Sequence, residues 1–251
     1  MKQIILEELD RIEAERGVRV LLAVESGSRA WGMASADSDH DVRFVYVRTI
    51  DDYLRLEETR DVIEWRLDEK LDVSGWDIVK FLRLLRGSNP SAFEWLASDI
   101  IYRESPDFAA VREVARECFS PVASAFHFLG IAKERERVNV GREMIRVKSY
   151  LYAVRAILAA RYVLDNGKPS PVLIDELTSS ELESEYEGIV SMLTKVKRTG
   201  DEKIEVARMP GLDDWIEREG AKLAERARAM DAPQKSEWSR LDGIFRELVR
   251  G

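Results

Sequence analysis

The stretch "ESGSRAWGMASADSDHDVRFVYV", residues 25–47, sets a Gly-Ser pair, Gly27-Ser28, ahead of three aspartates on alternate positions, Asp37, Asp39 and Asp41. An apolar run follows. Carboxylates this close repel one another, and burying them costs several kcal/mol unless a positive group stands between them. The segment is therefore either a solvated turn, which Asp and Ser both favour, or a device for holding a cation. Asp39 and Asp41 flank a single residue at the start of a strand-like run, so the two-residue period of a strand sends both carboxylates to one face. A further carboxylate, Asp72, sits in a separate apolar run, "KLDVSGW". Three converging carboxylates suit magnesium, a hard cation that takes one or two protein carboxylates together with waters and substrate phosphates. Two such ions can activate the attacking oxygen and stabilise the leaving oxygen of an in-line phosphoryl displacement. An EF-hand calcium loop is excluded, because its glycine and glutamate positions hold Val42 and Arg48.

Gly27-Ser28 fits the same chemistry. It lies where a first strand, "VRVLLAVE" (18–25), ends and a short helical segment, Arg29 to Gly32, begins. Glycine there lets backbone N–H groups approach a phosphate, and a helix start favours negative charge. The Ser28 hydroxyl and Arg29 add donors.

The rest of the chain bounds this reading. With 251 residues, 45% hydrophobic and 34% charged, the sequence is that of a globular protein with room for one large or two modest domains. No apolar run approaches the roughly 20 residues that span a bilayer. The start, "MKQIILEELDRIEAERG", is an amphipathic charged helix with Ile4, Ile5, Leu9 and Ile12 at helical spacing and no signal-peptide pattern. A single cysteine, Cys118, excludes an internal disulfide and fits a reducing, cytoplasmic setting; it reads as apolar filler. With only two histidines, a conventional zinc site is excluded as well. The net charge of −8 argues against a general nucleic-acid coat and leaves a local basic groove open.

Residues 1–104 read as α/β. "DVRFVYVR" (41–48) is a second strand, and "DVIEWRL" with "EKLDVSGW" a hairpin turning near Asp68. "DIVKFLRLLRG" is an amphipathic helix with Asp77 as N-cap and Gly87 as stop, and Asn89-Pro90 punctuates before "SAFEWLASD". Beyond about residue 105 the strands cease, and successive segments to residue 230 carry the 3.6-residue period. The expected architecture is α+β: a small mixed sheet flanked by helices over 1–104, then an all-helical domain over 105–251, with substrate at the junction.

The longest expected helix, Gly141 to Leu164, is basic in an acidic protein. Lys148, Tyr152 and Arg155 fall on one face at i, i+4 and i+7. The plain reading is a solvated charged face. The functional reading is a triphosphate clamp, with Tyr152 stacking on a base or donating to a phosphate. Other signatures are missing: no G-x-S-x-G elbow surrounds Ser28, and "NGKPS" (166–170) lacks the residues of a Walker A loop. His40 lies between the two aspartates and reads as structural. Trp31, Trp65, Trp76 and Trp95 read as core or interface aromatics.

"GSRAWG" with "SDHDVRFVYV" resembles the signature of the DNA polymerase β-like nucleotidyltransferase superfamily, Gly-Ser followed by Asp-x-Asp. Together with "LDVSGWDIVKFLRLL", "NPSAFEWL" and "VKSYLYAVRAILAARYV", the chain is similar, to about residue 165, to predicted bacterial and phage nucleotidyltransferases, some encoded beside RNA ligases. The resemblance implies transfer of a nucleoside monophosphate from an NTP, ATP favoured, to an acceptor with release of pyrophosphate. It implies a two-ion magnesium site, with manganese as substitute, on Asp39, Asp41 and a third carboxylate. Asp72 is the choice for the third, and Asp77, better placed as a helix cap, the rival. Gly27, Ser28 and Arg29 match the phosphate-holding positions, and Lys148, Tyr152 and Arg155 those of the nucleotide clamp. Glu94 is singled out by the resemblance alone and reads as structural. Association with RNA ligases points to an RNA end, such as tRNA, as acceptor. A protein or small-molecule acceptor, or a silent nucleotide-binding module, needs much the same residues.

Overall fold

A computed structural model describes residues 1–251 apart from 69, 202 and 232–235. Its centre is a five-stranded mixed sheet, preceded by helix α1 (Lys2–Arg16). The strands are β1 (Arg19–Ser26), β2 (His40–Val47), β3 (Val62–Leu67), β4 (Leu71–Asp77) and β5 (Ile101–Glu104), in the spatial order β3-β4-β2-β1-β5. β2 and β4 run parallel, and the other neighbours are antiparallel. β1 is buried along nearly its whole length because it lies between two strands and is covered on both faces, which explains its continuous valine-leucine run.

One face of the sheet packs on α1. Ile5, Leu9 and Ile12 meet Val42, Phe44, Tyr46, Ile63 and Val73 there, while Ile4 turns out to solvent. Gly75 makes room for Phe44, whose ring would lie 2.2 Å from any Cβ at that position. A one-turn helix α2 (Gly27–Ala30) follows β1, and a second short helix α3 (Ile50–Tyr53) follows β2. The other face of the sheet is covered by α4 (Ile78–Arg86), α5 (Pro90–Ala97) and α6 (Ala109–Cys118). Asp77 caps α4 by accepting from the Val79 N–H, Gly87 ends it, and Asn89 caps α5 ahead of Pro90. Cys118 is buried in this layer.

The helices that follow are α7 (Pro121–Asn139), α8 (Val147–Asn166), α9 (Ile174–Glu181), α10 (Ser184–Thr199), α11 (Pro210–Ala229) and α12 (Trp238–Arg250). α8 is apolar nearly all round and forms the axis of a separate core with α7, α9, α10 and α11. It ends at Gly167 in the left-handed conformation.

Two features depart from the sequence reading. Strands do not cease at residue 105: β6 (Met144–Arg146) pairs antiparallel with β7 (Glu205–Ala207). The basic helix therefore begins at Val147 rather than at Gly141. The pairing partner lies some sixty residues away in sequence, so no local period announces it. In addition, α12 returns to the sheet-side core through Leu241 and Leu248, joining the layer made by α4 and α6. No helix among the described residues is long and apolar enough to cross a membrane.

Candidate active site

The site is built where β1 ends and β2 and β4 begin. Parallel pairing sets Asp41 directly opposite Asp72. The Arg43 guanidinium lies between them, 2.9 Å from Asp41 Oδ1 and 2.7 Å from Asp72 Oδ2. Asp39 stands in the turn just before β2. Burial, together with the charges of Asp39, Asp72 and Glu25, pushes the Asp41 carboxyl up to about 6, against the opposing pull of Arg43. These groups crowd negative charge that one guanidinium only partly compensates.

Gly27 presses on the same carboxylate. Its φ is +60°, and a Cβ there would fall 2.0 Å from Asp41 Oδ2. Both the left-handed backbone and the contact demand glycine. Ser28 follows, buried in α2. Arg29 reaches across the loop and donates from Nε to the Asp39 carbonyl (2.9 Å) and from Nη2 to the Ser38 carbonyl (2.5 Å). It fixes the backbone that presents Asp39.

Beneath the aspartates lies a buried carboxylate that sequence reasoning missed. Glu25, 1% exposed, accepts from the Asp41 backbone N–H at 2.7 Å and from the Tyr102 hydroxyl, and shares a hydrogen bond of 2.9 Å with His40 Nδ1. Its own carbonyl accepts from Ser98 Oγ at 2.8 Å. His40 thus turns away from the aspartates, as its position between them requires. The signal for Glu25 was present, since a glutamate closing a buried apolar strand needs partners. Arg43 was missed as well, although it lies two residues beyond Asp41 on the same face of β2.

Asp77 occupies the far end of β4, opposite Tyr46. Five residues of strand separate it from Asp72, roughly 16 Å. It accepts from the Val79 N–H (2.9 Å) and the Tyr53 hydroxyl (3.0 Å), and Arg48 Nε lies 3.5 Å away.

The α8 residues reach the site through Trp31, which follows α2. Tyr152 meets Trp31 edge-on with ring centroids 5.0 Å apart. Lys148 lies one turn earlier on α8. Arg155 does not stand open to a phosphate. It is buried under Trp31, 4.3 Å from the ring centroid, pairs with Glu94 at 2.7 Å, and donates to the Val172 carbonyl. The structure therefore joins Glu94 and Arg155, which sequence reasoning kept apart.

Among the described residues, no three Asp, Glu, His or Cys side chains close on one point tightly enough to chelate an ion unaided. The donor set nevertheless fits a hard divalent cation that completes its shell with phosphates and water: carboxylate oxygens on adjacent strands, in like-charge conflict, packed against a glycine turn that has no side chain to displace them.

The chain is 39% identical over 255 residues to the uncharacterized protein YcgL of Bacillus subtilis (strain 168), covering 99% of this chain and 96% of that one. It is also similar to the nucleotidyltransferase-like protein from Exiguobacterium sibiricum 255-15, at 14% identity and a TM-score of 0.33, over 100% of this chain and 80% of the other. Residues 1–247 match the RNA repair pathway DNA polymerase beta family. The chain belongs to that family and is a polymerase β-like nucleotidyltransferase.

Proposed function

We propose that the protein transfers a nucleoside monophosphate from an NTP, ATP favoured, to the end of an RNA such as tRNA, releasing pyrophosphate, in a magnesium-dependent reaction. The observation that carries this reading is the Asp41–Asp72 register pair, crowded with negative charge and roofed by the Gly27 turn. Asp39, Asp41 and Asp72 would hold the divalent ions, with manganese as substitute. Bound there, the ions supply charge neutralisation at the transferring phosphorus and activation of the acceptor hydroxyl.

The chain's own groups do the rest. Gly27 and Ser28 offer backbone and hydroxyl donors to the β- and γ-phosphates, and Arg29 holds the loop that carries Asp39 in place. Arg43, which bridges Asp41 and Asp72, neutralises part of their charge. Lys148 and Tyr152 contact the nucleotide, and Arg155 acts through Trp31 as a positioning residue. Residues 1–104 form the catalytic domain, and 105–251 complete the nucleotide and acceptor cleft. A cytoplasmic setting suits the lone buried thiol.

The test is release of pyrophosphate from each labelled NTP, with and without bulk tRNA, beside Asp39→Asn. Magnesium-dependent release that needs RNA, leaves labelled RNA and vanishes in Asp39→Asn is expected. RNA-independent modification of a protein or small molecule would overturn the acceptor. Full activity in Asp39→Asn would overturn the metal assignment.

A further inference from the structure

α7 carries a half-buried arginine at the edge of its inward stripe. Phe128, Ala132 and Asn139 are buried toward α8, and Arg135 falls between the last two at helical spacing. Its Nε is buried and makes no hydrogen bond. Among the described residues no carboxylate is paired with it. Its guanidinium lies over the ring of Tyr152, 5.4 Å from the centroid. Tyr152 in turn meets Trp31, whose backbone N–H donates to the Gly27 carbonyl at 3.0 Å. Arg135, Tyr152 and Trp31 thus form a continuous ladder that ends on the glycine turn above Asp41.

A guanidinium in this setting is poorly matched to its surroundings. It carries five donors in a fixed fork; the side chain is half-buried, and its Nε–H is taken out of water without an acceptor, which is unfavourable. The contact with Tyr152 offsets part of that and fixes the plane of the fork. Leucine or methionine would fill an inward helix position without the mismatch. Arg155, one turn beyond Tyr152, shows the opposite state: Glu94 and the Val172 carbonyl take up its donors. The two arginines flank the same aromatic pair, one satisfied by protein and one with donor capacity left for an anion.

We propose that Arg135 is a phosphate ligand of the nucleotide site, its fork gripping the polyphosphate chain of the NTP alongside Lys148 while Tyr152 holds it in plane. The proposal rests on the nucleotidyltransferase reading above and adds a residue from α7 to it. Polyphosphate matches the geometry because adjacent phosphate oxygens accept two parallel N–H bonds from one guanidinium.

The test is equilibrium binding of α,β-methylene-ATP and of AMP to wild-type protein, Arg135→Ala and Arg135→Lys, with thermal melts of each. Arg135→Ala is expected to weaken the triphosphate analogue at least tenfold, to change AMP binding less than threefold, and to melt within a few degrees of wild type. Arg135→Lys is expected to recover part of the loss, since it restores charge without the fork. Arg135→Met, which keeps the stem, carries the same comparison if the alanine variant does not fold. Unchanged analogue binding in these variants overturns the proposal. So does an equal loss for both nucleotides accompanied by a lowered melting temperature, which marks Arg135 as a packing residue. Wild-type protein that binds neither nucleotide refutes the nucleotide reading itself, an outcome distinct from a loss confined to the variants.

Discussion

The parallel pair β2–β4 carries a buried or half-buried carboxylate at each end, and the two ends behave oppositely. At the far end, Asp77 accepts from the Val79 N–H and the Tyr53 hydroxyl and lies 3.5 Å from Arg48 Nε, with Asp61 the one like charge acting on it. At the near end, Asp41 faces Asp39, Asp72 and Glu25, with Arg43 in opposition. Burial raises both carboxyls. Only at Asp41 do three like charges add to it. The satisfied carboxylate builds structure, because it caps α4 and anchors Tyr53. The other carboxylate, though paired with Arg43, is held among like charges that raise its pKa, the kind of perturbation that gathers at functional sites. Within one strand pair, the difference in partners separates architecture from chemistry more sharply than residue type does.

The strongest way to break this comparison is to neutralise the near end. Asp41→Asn and Asp72→Asn should each lower turnover by at least about a thousandfold, roughly 4 kcal/mol of transition-state stabilisation, while melting at or above the wild-type temperature. A Michaelis–Menten assay beside a thermal melt checks both halves. Next in size is the buried Arg155–Glu94 pair, which by the same logic is architecture. Arg155→Ala should cost about 3–5 kcal/mol because it strands Glu94, and Arg155→Met combined with Glu94→Leu should recover most of it in urea unfolding. At the satisfied end, Asp77→Ala should cost about 2 kcal/mol, from the lost cap and the orphaned Tyr53 hydroxyl. Turnover per folded molecule should change less than threefold.

The smallest effect sharpens the contrast through pH. Asp41 titrates near 6 in the fold against 3.8 as its ordinary value, so the folded protein takes up this proton more readily than the unfolded chain. The resulting instability is present above pH 6 and is relieved as pH falls through 6 toward 4. Metal-free protein should therefore gain a degree or two of melting temperature between pH 7 and pH 5, and Asp41→Asn should lose that gain.

Much of this was legible in the sequence, for physical reasons that differ by region. The sheet and its first helices declare themselves through local signals: a continuous apolar run for a strand covered on both faces, an Asp cap before "IVKFLRLL", a glycine stop, and Asn-Pro before α5. Asp39, Asp41 and Asp72 were legible from alternation and from charge placed in apolar runs. Non-local facts escaped. β6 and β7 find each other across some sixty residues, and α12 returns to a core begun at β1. The partners of single side chains escaped too. Helical spacing put Lys148, Tyr152 and Arg155 on one face, but only the fold reveals that Glu94 arrives from α5 to neutralise Arg155. Glu25 and Arg43 passed as ordinary strand residues until the neighbouring strands showed what they touch.

The central claim, that the Asp41–Asp72 end is held in charge conflict to receive a divalent cation, is tested most directly by a magnesium titration of the melting temperature at pH 7.5. Wild type and Asp41→Asn would be compared, each with saturating α,β-methylene-ATP. The account predicts that Asp41→Asn without magnesium is at least as stable as wild type, and that magnesium raises the melting temperature of wild type but not of the variant. A variant that is destabilised, yet still shows the full magnesium response, would contradict it.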